Sequence, residues 1–173
     1  ILDKIVEVKE FPEDLRSELF ALYADVFIRQ NKYEEAVNYL LLAIGYTKNK
    51  KTLVRYHYIV AQLYKEIEVN EKAVDHFAQV LKLNPNYEFA FKVRISQATA
   101  FDGGRGSSAE TIAVLRKLLK DKKNAEFKDQ IYFALANVYM AEGDEENALT
   151  YYKQSVESST TNAQQKAMSL LAI

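Results

Sequence analysis

Two histidines, His57 and His76, are the side chains of this sequence best suited to bind a metal ion or act as a general base. Two similar stretches of the chain carry an aromatic residue where this one carries His57, so a packed core position is favoured over a ligand or base. His76 precedes the apolar Phe77, and we expect it to face solvent. No H-E-x-x-H or H-x-x-E-H spacing occurs and the chain has no cysteine. We therefore expect no metal, no cofactor and no enzymatic activity.

One glycine-rich segment, Gly103-Gly104-Arg105-Gly106, raises the possibility of phosphate binding. A phosphate-binding loop follows a strand, and its last glycine precedes a lysine. Here a predicted helix precedes the segment and no lysine follows it. The amides at the start of the next helix could still hold an anion, but an elongated loop between helices is the favoured interpretation.

Charge is balanced over the whole chain but uneven along it. The 173 residues include 23 Lys and Arg against 24 Asp and Glu. Residues 105–128 carry seven basic and three acidic side chains, whereas residues 129–157 carry one basic and six acidic. The overall balance argues against nucleic-acid binding, and the blocks indicate either attraction to protein partners or ordinary solvated helix faces. No apolar run reaches the length of a membrane span, so we expect these residues not to be inserted in a membrane.

A repeated pattern organises the sequence. Three stretches have an aromatic residue or histidine, an alanine four positions later, an aromatic residue seven positions later, and an alanine sixteen positions later; they start at Phe20, His57 and Tyr132. The pattern resembles the tetratricopeptide repeat, with Pro85 at the final proline position of the second stretch. The resemblance implies an all-α fold, a right-handed α-solenoid of helix-turn-helix repeats.

The same spacing predicts the organisation of the chain as a single array over 1–173. Full repeats are expected at 17–50, 54–87 and 129–162, with a degenerate repeat at 88–121. Residues 1–12 are interpreted as the end of a preceding repeat, and residues 163–173 as the start of a following one. Small residues that let paired helices approach closely are Ala24, Ala61 and Ala136 on the first helices and Ala36, Ala73 and Ala148 on the second. Asn31 and Gly143 are expected to adopt the left-handed conformation in the turns.

The family resemblance also implies a working surface. In such arrays, exposed residues of the first helices line a concave groove that holds a peptide. The corresponding positions here, which we expect to bind a protein or peptide partner, are Arg55, Tyr58, Gln62, Lys65, Phe89, Lys92, Ser96, Gln130, Phe133 and Asn137. Tyr58, Phe89 and Phe133 are candidate anchors, although each could instead be buried against a neighbouring repeat.

Three segments are similar to the PorW/SprE lipoproteins of Bacteroidetes: residues 87–98, residues 118–136, and Ser158-Ser159-Thr160-Thr161-Asn162 ahead of Gln165-Lys166-Ala167. This resemblance implies an interaction scaffold at the periplasmic face of the outer membrane that supports type IX secretion or gliding motility. The lipid-bearing cysteine and signal of such a protein would lie outside these residues. The alternatives are a general peptide-binding adaptor, or a SusD-like glycan-binding module in which some of the twelve tyrosines stack on sugars.

Overall fold

The computed structural model describes residues 12–100 and 108–173, and within these ranges the regular elements are helices. The α-helices are α1 (Glu13–Arg29), α2 (Tyr33–Gly45), α3 (Lys50–Glu66), α4 (Asn70–Lys82), α5 (Tyr87–Thr99), α6 (Ser108–Lys120), α7 (Lys128–Ala141), α8 (Glu145–Ser158) and α9 (Ala163–Leu171). A 3₁₀ helix at Lys122–Phe127 precedes α7. The all-α prediction is confirmed. The glycine-rich segment and residues 1–11 of the expected preceding repeat lie outside the described residues.

The chain divides into two compact units, the first ending at Val93 and the second beginning at Arg94. In the first unit, α1 packs against α2 and α3 packs against α4, while α2 also contacts α3. The core of this unit comes from apolar side chains at helical spacing, among them Tyr23, Leu40, Val60 and Phe77. Helix α5 contributes its first residues here, and Phe91 is buried.

The second unit is built around the hairpin of α7 and α8. Helix α6 packs against α7, and α9 packs against α8. Leu115, Ile131, Leu135 and Val138 are fully buried. The contact with α9 is polar as well as apolar, because Ser155 of α8 and Ser169 of α9 are fully buried with their Oγ atoms 2.7 Å apart.

Local sequence explains where several helices begin and turn. The Asn49 side chain accepts hydrogen bonds from the backbone N–H groups of Lys51 and Thr52 at the start of α3. Asp144 and Asn162 cap α8 and α9 in the same way. Asn31 (φ 57°) and Gly143 (φ 76°) adopt the left-handed conformation, which confirms the prediction for these two turns.

The alanines of the repeated pattern lie where helices meet. Ala61, Ala136, Ala36, Ala73 and Ala148 are fully buried, and Ala24 is almost so. Ala136 and Ala148 share one cluster with Tyr152, which spans the α7–α8 hairpin. A side chain of one carbon lets two helix backbones approach closely, and the neighbouring rings fill the remaining space.

Candidate functional site

In the first unit, two of the expected anchors lie side by side. The ring centroids of Tyr58 on α3 and Phe89 on α5 are 4.9 Å apart, and the Tyr58 ring also meets the buried Phe77 at 5.9 Å. Both Tyr58 and Phe89 keep part of their surface exposed. Packing therefore holds both rings in place while each still offers an apolar face for contact.

An open cleft of about 470 Å³ lies next to this pair of rings. Its apolar lining comes from Phe89 together with Val54, Leu83 and Pro85, and Lys50 and Lys51 stand at its edge. Both lysines are exposed. The cleft can accept an apolar side chain, and the ammonium groups can pair with a carboxylate beside it.

The remaining expected groove residues of α3 share a face with Tyr58. Arg55 precedes it by three residues, and Gln62 and Lys65 follow it by four and seven. This spacing places all four side chains along one side of the helix. Burial lowers the pKa of Lys65, and the neighbouring Glu66 partly offsets that effect. On α5, Lys92 is exposed and Ser96 is half-buried.

In the second unit, two of the expected groove residues on α7, Phe133 and Asn137, contact Tyr152 of α8. The Phe133 ring lies 5.6 Å from the ring of Tyr152, and the Tyr152 hydroxyl donates a 2.7 Å hydrogen bond to Oδ1 of Asn137. Burial raises the pKa of that phenol. Gln130 lines a separate cleft of about 560 Å³ between the start of α7 and the α8–α9 turn. This part of the surface is thus more polar than the cleft beside Phe89.

The two histidines contact each other across α3 and α4. Nδ1 of His57 lies 3.0 Å from Nδ1 of His76, and both rings are half-buried. The expectation that His76 faces solvent is wrong, because its ring packs between His57 and Tyr64. Burial lowers the pKa of both, and for His76 burial, the neighbouring His57 and Lys72 together outweigh Asp75 to bring the pKa to about 4.

The described residues hold no group of three or more His, Asp or Glu side chains placed to bind a metal ion. Within 12–100 and 108–173, none of the helices combines the length and apolar character needed to cross a bilayer.

A solved structure shares this fold, and another aligns with the chain less closely. BtubC (BKLC) from P. vanneervenii is similar over 91% of this chain and 68% of its own, with 15% identity and a TM-score of 0.62. The TPR domain of P58(IPK) aligns over 99% of this chain and 57% of its own, with 17% identity and a TM-score of 0.40. None of the curated proteins matches the chain.

A family model described as "Tetratricopeptide repeat" matches residues 17–50, 54–87 and 129–162, more than half of the chain. Each match covers one pair of packed helices in the structure: α1 with α2, α3 with α4, and α7 with α8. The chain belongs to the tetratricopeptide repeat family, whose helix-turn-helix repeats form α-solenoids that bind protein partners.

Proposed function

We propose that this chain is a non-enzymatic scaffold that binds an extended or helical segment of a protein partner along the exposed residues of its first helices. The observation that carries the proposal is the contact between Tyr58 and Phe89 beside the cleft with Lys50 and Lys51. Partly exposed aromatic rings held by packing lose little freedom on binding, and such residues dominate the energetics of protein interfaces.

The polar residues around this pair supply specificity. Arg55 and Lys65 lie on the same face of α3 as Tyr58, and Lys92 lies one turn beyond Phe89 on α5. We infer that the first unit prefers a partner segment with an apolar side chain next to carboxylates. Gln130, Phe133, Asn137 and Ser96 belong to the proposed surface of the second unit.

A peptide-display selection on the purified chain tests the proposal without a known partner. Selected peptides are measured by calorimetry on the wild type, on Phe89→Ala and on Leu42→Ala, a matched truncation of an exposed apolar residue on α2. We expect Phe89→Ala to weaken binding about tenfold or more, and Leu42→Ala to change it less than about twofold. Equal affinity for all three proteins would reject this binding surface.

We also propose a cellular setting, which rests on the sequence resemblance of residues 87–98, 118–136 and 158–167 to the PorW/SprE lipoproteins. In this setting the parent protein is lipid-anchored at the periplasmic face of the outer membrane and supports type IX secretion or gliding. Deleting the parent gene and measuring secretion of type IX cargo tests the setting separately from peptide binding. Normal secretion and gliding in the deletion strain would reject the setting and leave the scaffold function standing.

A further inference from the structure

A second cleft, of about 550 Å³, lies in the second unit between α6 and the end of α7. Its apolar lining comes from Ala109, Ile112 and Ala113, and its polar lining from Arg116, Lys117, Lys120 and Tyr139. The α6 residues recur at intervals of three or four, so they occupy one face of that helix. None of the expected groove residues lines this cleft.

The residues that line this cleft carry positive charge that no acidic lining residue neutralises. Among its lining residues in the described part of the chain there are three basic side chains and no carboxylate. Lysines in the last turn of α6 also complement the helix dipole, an effect of about 0.3–1 kcal/mol. The dipole does not account for Arg116, which lies before the last turn of α6 and donates a hydrogen bond to Tyr139 of α7.

Arg116 is held in place by aromatic residues. Its Nη2 donates a 3.0 Å hydrogen bond to the Tyr139 hydroxyl. Hydrogen bonding to Tyr151, together with the charge interaction with both tyrosines, raises the pKa of Arg116. The Tyr139 ring stacks on Tyr151 at 5.4 Å with the ring planes 11° apart. A guanidinium fixed in this way loses less freedom when it pairs with a carboxylate than a free side chain does.

The first unit contains a matching cleft with different chemistry. Tyr64 holds the position in the second repeat that Tyr139 holds in the last, and the cleft beside Tyr64 measures about 260 Å³. Its charged lining residues are Glu34 and Lys72, one of each sign. The cleft beside Tyr139 therefore differs from the cleft beside Tyr64 in two ways: it is larger, and its charged lining residues are all basic.

We propose that the cleft formed by α6 and Tyr139 is a second docking site, which binds a short acidic segment of a partner protein with its apolar side chains on Ala109, Ile112 and Ala113 and its carboxylates on Arg116, Lys117 and Lys120. Charge complementarity favours an acidic ligand, and the apolar lining favours a peptide segment with apolar side chains over a simple polyanion. This site is independent of the proposed groove on the first helices.

The test uses two fluorescent peptides of about 15 residues with leucines at helical spacing, identical except that one carries glutamates and the other lysines at the remaining positions. Fluorescence anisotropy is read with the wild type, with Lys117→Glu/Lys120→Glu, and with Lys122→Glu/Lys153→Glu. The last variant makes the same change in net charge at exposed lysines outside the cleft. Circular dichroism checks that all three proteins keep their helical content.

We expect saturable binding of the acidic peptide only, a loss of about tenfold or more in the cleft variant, and a loss of less than about threefold in the control. The affinity should also fall between about 50 and about 300 mM NaCl. An equal loss of affinity in the two variants would show that the acidic peptide is held by non-specific charge attraction, and it would overturn the proposed site. Absence of saturable binding to the wild type, or equal binding of the basic peptide, would overturn it as well.

Discussion

His57 and His76 share a hydrogen bond between their Nδ1 atoms, which lie 3.0 Å apart on the facing helices α3 and α4. Two neutral imidazoles satisfy this contact, with one Nδ1–H donating to the other ring's Nδ1 lone pair. Charging both rings would place two cations at that distance. The pair is therefore a part of the fold that responds to pH.

Stability should fall as the pH is lowered from 7 to 5, and His76 should carry part of that fall. The His76 pKa is about 4 in the folded chain against 6.5 for an unperturbed histidine, so the unfolded chain takes up this proton first. Acidification thus favours unfolding through the whole interval between the two values. Because the ring is only half-buried, solvent screening reduces the effect. We expect His76 to lower the free energy of unfolding by about 1 kcal/mol between pH 7 and pH 5.

Urea denaturation of the wild type and of His76→Gln at both pH values measures this effect. The glutamine keeps a polar group beside His57 but cannot titrate, so the variant should lose about 1 kcal/mol less stability than the wild type over the same interval. Carboxylates contribute equally to both proteins. If the two proteins lose stability in parallel, the His76 assignment is wrong.

The histidine pair matches a pairing of rings that recurs in each full repeat. The first aromatic position of each full repeat and the residue nineteen positions later form the pairs Phe20–Tyr39, His57–His76 and Tyr132–Tyr151, with ring centroids at 6.4, 5.1 and 6.2 Å. The second ring of each pair also contacts the aromatic residue seven positions after the first ring. These contacts are Phe27–Tyr39, Tyr64–His76 and Tyr139–Tyr151, with ring centroids 5.3, 5.6 and 5.4 Å apart. His76 thus occupies an aromatic position, which is why solvent exposure was the wrong expectation.

Positions set by helix periodicity were predictable, whereas contacts set by single side chains were not. The buried alanines and the turn conformations of Asn31 and Gly143 follow from close helix packing and from backbone preference. The repeat pattern has no counterpart for the 3₁₀ helix Lys122–Phe127 or for the cleft beside Phe89, so the spacing of the repeats did not predict them.

The α7–α8 contact should not tolerate a larger side chain at Ala148. Ala148 and Ala136 are fully buried in one cluster with Tyr152, so added carbons have no space unless the helices separate. We expect Ala148→Leu to lower the free energy of unfolding by about 1–3 kcal/mol. The same change at the exposed Ala167 on α9 is the control and should alter it by less than about 0.5 kcal/mol. Equal midpoints in urea for the two variants would contradict close packing at this position.

The turn after α3 should become more stable when Glu68 is replaced by glycine. Glu68 has a φ of 59°, a conformation that its Cβ disfavours, and its side chain is exposed. Glycine removes this cost but makes the unfolded chain more flexible, so we expect a net gain of about 0.5–1 kcal/mol. Glu68→Ala keeps the Cβ and should leave the melting temperature nearly unchanged. A loss of stability in Glu68→Gly would show that the glutamate side chain stabilises the turn.

The buried hydroxyl of Ser155 should stabilise the contacts between α7, α8 and α9. Its Oγ donates to the backbone carbonyl of Asp129 at 2.7 Å and lies 2.7 Å from Oγ of Ser169. Removing it takes the side-chain donor away from the Asp129 carbonyl and one contact away from Ser169, which keeps its hydrogen bonds with Gln165. We expect Ser155→Ala to cost about 1–3 kcal/mol in urea denaturation. Thr150→Ala is the control, because that exposed hydroxyl bonds only within its own helix, and should cost less than about 0.5 kcal/mol.

Since Ser155 and Ser169 share one contact, the double variant Ser155→Ala/Ser169→Ala should cost less than the sum of the single changes. Additive losses would show that the two hydroxyls act independently and that α9 does not dock through this contact.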